Sequence, residues 1–139
     1  MAEIRYTVML PPVSKKNSQQ ILMNKKTGRP FIMPSRKFKE YEEQAAWFLK
    51  PRPPRPIDCA LEVKCLFYMP TRRRVDLTNL LEAVDDLLVS AEIIADDHCG
   101  IVVSHDGSRV LYDKDKPRTE IYIKRIPGDH QLSMDFMKG

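Results

Sequence analysis

From Ile57 to Met69 every second residue is apolar: Ile57, Cys59, Leu61, Val63, Cys65, Phe67 and Met69 share one parity, and Glu62 and Lys64 hold the other. Period two marks a strand with one face in a core. After a short basic stretch the period changes. Leu77, Leu80, Leu81, Val84, Leu87 and Leu88 recur at helical spacing, which predicts an amphipathic helix over about 77–89. A long strand followed by a helix that must cover an apolar face points to a layered α+β arrangement, and the rest of the chain has to be added to that unit.

The additions read as follows. Ile4, Tyr6, Val8 and Leu10 alternate, a strand that Pro11-Pro12 ends because proline cannot donate to a ladder. Ile21-Leu22-Met23 and Phe31-Ile32-Met33 flank a polar segment containing Gly28, the pattern of a hairpin. Ser35 is an N-cap candidate for a helix from about 36 to 49 that carries Phe38, Tyr41, Ala45 and Phe48. Pro51 to Pro56 cannot continue it and reads as a stiff connector, although its P-x-x-P frames also fit an SH3-like partner. A short strand over Gly100–Ser104, a polar loop from Asp106 to Pro117 and a last strand over Thr119–Ile126 complete the order. The expectation is one α+β domain over residues 1–126 with a mixed β-sheet and two main helices, then a tail, 127–139, whose Leu132, Met134, Phe136 and Met137 suit docking on a partner subunit.

A chain of 139 residues has room for one core, large enough to fold without a disulfide or metal staple. Cys59 and Cys65 lie on one strand face, too far apart along it (about 20 Å) to bond each other. With Cys99 they form an odd set without metal-ligand spacing, the pattern of a reduced intracellular protein. No apolar run nears the roughly 20 residues of a membrane span. Met1-Ala2-Glu3-Ile4-Arg5 lacks the basic stretch and apolar core of an export signal, so the expected place is the cytoplasm, away from membranes.

The net charge of +4 hides a segregation. Residues 76–106 hold eight Asp or Glu and no Lys or Arg, while residues 1–40 hold nine Lys or Arg and two acids. On the helix, Asn79, Glu82, Ala83 and Asp86 project as one ridge opposite the leucines. Asp76 precedes the helix and Asp96-Asp97 follow it, so Asp76 meets Asp97 only if the chain folds back. Carboxylates with water are ligands of a hard ion such as Mg²⁺. Such an ion neutralises phosphate charge and lowers the pKa of an attacking water. Acids set among Lys15-Lys16, Lys25-Lys26, Arg36-Lys37-Lys39 and Arg72-Arg73-Arg74 therefore suit metal-dependent phosphodiester hydrolysis on a nucleic-acid backbone. Bland readings stand beside this. Asp76 also fits a helix N-cap, Asp96-Asp97 a turn, Glu82 and Asp86 an exposed helix face, and Arg72–Arg74 a solvated loop. His98 and His105 read as surface histidines. No Gly-rich phosphate loop, zinc-finger spacing or hydrolase triad motif is present.

The run Met69-Pro70-Thr71-Arg72-Arg73-Arg74-Val75-Asp76-Leu77-Thr78-Asn79-Leu80, then Val84-x-Asp86-x-Leu88, then Ile94-Ala95-Asp96-Asp97, resembles the RusA-type crossover junction endodeoxyribonucleases, Holliday-junction resolvases often carried by prophages. Pro11-Pro12-Val13-Ser14-Lys15-Lys16-Asn17-Ser18 resembles the family's early P-x-S-x-N loop. The resemblance implies a RusA-like fold and a homodimer that binds four-way or branched DNA and makes paired nicks with Mg²⁺, Mn²⁺ being a substitute. It implies Asp76 and Asp97 as metal-binding carboxylates, Asp96 as the adjoining acid, and Asn79 and Asp86 as supporting positions on the helix face. Lys15, Lys16, Asn17, Arg72, Arg73 and Arg74 are the expected DNA contacts. Two positions depart from the pattern: Thr78 stands where the family has a second Asp, and Glu82 where it has Lys. Glu82, one turn beyond Thr78, is the candidate for the missing carboxylate and so a candidate catalytic residue. The other outcome is a junction-binding protein of phage replication or recombination with weak or no nuclease activity.

Overall fold

The computed structural model describes residues 3–14, 19–34 and 36–126, with the backbone alone for 19–22 and 31–34. Lys15, Lys16, Asn17, the cap candidate Ser35 and the tail 127–139 lie outside the described residues. The elements run β1 (Ile4–Val8), β2 (Gln19–Met23), β3 (Pro30–Pro34), α1 (Arg36–Ala45), β4 (Leu61–Met69), α2 (Leu77–Ser90), β5 (Val102–Ser104), β6 (Arg109–Tyr112) and β7 (Arg118–Arg125). A 3-10 turn, Ala46–Phe48, extends α1.

The alternating run becomes β4, the central strand. On one side it pairs antiparallel with β7 from Leu61↔Arg125 to Tyr68↔Arg118, and β7 in turn pairs antiparallel with β1. On the other side β5 and β6 share the edge of β4, both parallel to it. The result is a mixed five-stranded sheet, with β2 and β3 forming a separate hairpin. Val63, Cys65 and Phe67 of β4 point with Tyr6, Val8, Ile121 and Ile123 into one core, closed by Tyr41 and Ala45 of α1 and by Leu80, Val84, Leu87 and Leu88 of α2. Both predicted periods therefore bury the faces expected of them. Cys65 is fully buried, and burial pushes its thiol pKa up.

Several details differ from expectation: β1 ends at Val8, short of Leu10. β4 starts at Leu61, and Ile57 makes only an isolated parallel bridge to Ile94. α1 stays regular only to Ala45. The polar loop between Asp106 and Pro117 contains β6. Its Arg109, Val110 and Tyr112 are exposed, so this edge strand has no buried face and leaves no alternation to read.

Between β5 and β6 the ladder on β4 is broken, and side chains repair it. The Val63 carbonyl lies 2.8 Å from Nδ1 of His105. The Cys65 N–H donates to Ser108 Oγ at 2.9 Å. Buried backbone groups need partners, and the turn at 105–108 supplies two. Gly107 makes that turn with φ +85°, and a Cβ there would come within 2.9 Å of Lys64 Cδ.

α2 ends in a Schellman motif: the Ile93 N–H donates to the Leu88 carbonyl at 2.9 Å and the Glu92 N–H to the Val89 carbonyl at 3.0 Å. Glu92 occupies the left-handed position, φ 59°, that glycine usually takes. Leu88 and Ile93 are both fully buried beside this turn. The reversal sends the chain back along α2 and sets up Asp96 and Asp97. Among the described residues no helix is long and apolar enough to cross a membrane.

Ser108→Ala removes the partner of the Cys65 N–H. It is expected to lower stability by about 1–3 kcal/mol, read as a lower urea midpoint; an unchanged midpoint would mean that the broken ladder needs no repair.

Candidate metal and nucleic-acid site

Asp76 ends the basic loop and takes the N-cap position of α2, yet its carboxylate makes no capping bond. The helix ladder opens instead with the Leu80 N–H donating to the Asp76 carbonyl at 3.3 Å. Asp76 Oδ2 accepts from Asn79 Nδ2 at 3.2 Å. An exposed carboxylate is thus oriented by a buried amide at the helix start.

Asp96 and Asp97 stand on the turn after Ala95, where the Asp97 N–H donates to Asp96 Oδ1 at 2.7 Å. Both are exposed. Asp97 is held above the ordinary carboxylate range, first by partial desolvation, then by the Asp96 carboxylate and the charges of Asp85 and Asp86; its own backbone N–H pulls the other way. The acids acting on Asp97 therefore come from its own turn and from the second half of α2, while Asp76 is tied to Asn79 at the first.

The expected ridge on α2 is divided. Asn79 and Ala83 are buried, Asp86 is half-buried and Glu82 is exposed. The reason is that α2 is covered on more than its leucine stripe.

Asp85 and His105 form a pair that sequence reasoning missed. Asp85 is only 8% exposed. Its Oδ2 lies 3.0 Å from His105 Nε2, while Oδ1 is buried with no partner among the described residues. His105 is thus not a surface histidine: it bridges β4, α2 and the turn between β5 and β6. Its pKa is raised, chiefly by the hydrogen bond to Asp85, with burial acting against this and the Asp85 charge and Val63 carbonyl adding to it. The available signal was the position of Asp85 four residues after Leu81, on the flank of the buried stripe. His98 is exposed as expected, its Nδ1 accepting from the Gly100 N–H at 3.0 Å.

The basic loop divides in two directions. Arg72 stacks over the Tyr112 ring, 4.3 Å from its centroid. Arg73 and Arg74 join Lys37 of α1 along a cleft of about 840 Å³, whose apolar walls include Leu10, Val13, Met69 and Val75. Val75 and Leu80, on either side of Asp76 in sequence, both line the cleft.

The chain matches the model of the endodeoxyribonuclease RusA family over residues 10–124. It belongs to the RusA family. Membership implies a nuclease of Holliday junctions, and the mixed sheet with two helices agrees with the expected RusA-like fold. No curated protein gives a match to set beside it.

The donors fit a hard divalent cation in kind, because Asp76, Asp96 and Asp97 offer only carboxylate oxygens and like charge crowds Asp97. Among the described residues no three Asp, Glu, His or Cys side chains converge to hold a metal.

The raised pKa of His105 gives this RusA-family protein a pH dependence of known sign. The folded value lies above the ordinary 6.5, so the pair contributes stability at lower pH and loses it as pH rises through the folded value. Thermal unfolding of the wild type is expected to weaken over that range relative to His105→Gln; parallel curves for the two proteins would contradict it.

Proposed function

We propose that this chain is a Mg²⁺-dependent homodimeric endonuclease that resolves four-way DNA junctions by paired symmetric nicks, in recombination and repair. The observation that carries the reading is the crowding of Asp97 by other acids, in a chain that matches the RusA family over residues 10–124. Symmetric incision of two strands calls for two sites related by a twofold axis, which a homodimer supplies.

Asp76 and Asp97 are the carboxylates that would hold the ion, with Asp96 adjoining; Mn²⁺ is a substitute of similar preference for oxygen. When bound, the ion neutralises charge at the scissile phosphate and makes a water more acidic. Asn79 orients Asp76 through its amide. Asp86 adds negative charge near Asp97. Glu82 is the candidate replacement for the carboxylate missing at Thr78. Arg72, Arg73 and Arg74, with Lys15, Lys16 and Asn17, would hold the backbone. Their attraction for phosphate is independent of base sequence and falls with salt.

The test uses a mobile four-way junction, a linear duplex and a flap, each with Mg²⁺ and with EDTA. Symmetric nicks in the junction only with metal are expected. Binding under both conditions without nicks would favour a second reading, a junction-binding protein without catalysis, which the departures at Thr78 and Glu82 motivate. No binding at low salt would defeat both.

Asp76→Asn and Asp97→Asn are expected to keep junction binding and lose cleavage. Normal cutting by either would remove it from the metal site. Glu82→Gln is expected to do the same, and unchanged cleavage would exclude Glu82. Arg73→Ala and Arg74→Ala should each weaken binding to all sequences alike and lower the slope of log K against log salt by about 1; an unchanged slope would mean that the cleft does not carry phosphate.

A further inference from the structure

His105 is not used by the reading above, yet it is the residue that joins the acidic half of α2 to the sheet. Its Nδ1 faces the Val63 carbonyl at 2.8 Å and its Nε2 faces Asp85 Oδ2 at 3.0 Å. A carbonyl only accepts, so Nδ1 carries a proton. Without a proton between Nε2 and Oδ2, two lone pairs would face each other at hydrogen-bond distance. Imidazole is the stronger base of the two, so that proton sits on the ring. The arrangement defines an imidazolium bonded to a carboxylate. The side chains are 25% and 12% exposed, so solvent screens the pair less than an open surface pair.

The placement gives the pair a use beyond tying the turn down. Residues 76–106 contain no Lys or Arg. Asp85 is buried and held through one oxygen. Asp86 follows it, and both send charge to Asp97. Without His105 the charge of Asp85 would add in full to those of Asp86, Asp96 and Asp97 in that neighbourhood. We propose that His105 is a positioning residue of the acidic site: its imidazolium offsets the buried charge of Asp85 and fixes α2 against β4, so that Asp97 and the turn that carries it keep the arrangement a divalent cation would meet. This rests on the metal-dependent reading given above.

A bond that only locked the turn and a charge that only needed cancelling respond differently to mutation. His105→Gln keeps a hydrogen-bonding side chain but removes the cation, leaving Asp85 buried and unpaired. Cleavage at saturating Mg²⁺ is expected to fall roughly 10–100-fold, the usual effect of removing a group that supports a metal site, with junction affinity unchanged. The double variant Asp85→Asn with His105→Gln removes both charges and leaves two amides able to bond each other. It should recover most of the lost rate, and its melting temperature in EDTA should exceed that of His105→Gln alone.

A double variant no better than His105→Gln in either measurement would overturn the charge-cancelling role. A second measurement does not involve cleavage: in a long-range ¹H–¹⁵N spectrum of the full chain near neutral pH, His105 should show both ring nitrogens protonated. A neutral tautomer there would overturn the proposal. If the wild type fails to cut any junction with Mg²⁺, the nuclease reading and the positioning role built on it both fall, while the spectrum and the EDTA melts still decide whether the ion pair exists.

Discussion

The broken ladder on the outer edge of β4 is the constraint from which the rest of the site follows. A continuous parallel strand would have satisfied Val63 and Cys65 with backbone bonds and kept His105 in the plane of the sheet. The chain instead leaves the edge after β5, turns at Gly107 and returns as β6, so that two side chains, His105 and Ser108, bond to the backbone groups the ladder leaves unpaired. The detour matters because the other nitrogen of His105 then reaches Asp85 on α2. One local defect in the sheet thus gives α2 a polar tie to β4, beside the apolar stripe that seats the helix on the core.

The acid-rich block can be read in the same terms. Eight acids without a Lys or Arg are tolerable in a folded chain if they are spread, hydrated or matched. The structure hydrates some, matches one and leaves a few close together. Glu82 and Glu92 face water, Asp85 is matched by His105, and Asp86, Asp96 and Asp97 are left near one another at the surface. In the last group like charge crowds Asp97. A cation brought in with a phosphate would relieve it, and the basic cleft beside Asp76 is where a phosphate backbone would be drawn.

Most of the fold was legible because its signals are periodic. The alternation through Val63, Cys65 and Phe67 and the stripe through Leu80, Val84, Leu87 and Leu88 each report a buried face directly. The N-terminal strand was legible for the same reason, and the hairpin from two apolar runs around a polar segment with Gly28. β6 was not, since an edge strand exposed on most residues has nothing to alternate. The end of α2 carried no glycine, and Glu92 takes its place because the Leu88–Ile93 contact and two backbone bonds outweigh the cost of a left-handed residue. Of the site, the acids flanking the helix were visible as a charge pattern and as a family resemblance. The Asp85–His105 pair was not, because its partners are 20 residues apart and meet only through the turn that breaks the sheet.

Two functions of an acid on α2 also become distinguishable. Asp76 has the sequence position of a helix cap and the geometry of something else, for its carboxylate bypasses the backbone N–H groups of the first turn and is steered by Asn79. A cap spends its oxygens on the helix, which leaves little for a ligand. Asp85 shows the opposite case, with one oxygen consumed by an ion pair and the other sealed from solvent. Exposure and hydrogen bonding therefore separate acids that composition treats alike. Asp76 and Asp97 keep oxygens at the surface for an incoming cation, whereas Asp85 is buried and paired with His105, so its removal together with that histidine is a change of support and not of ligands.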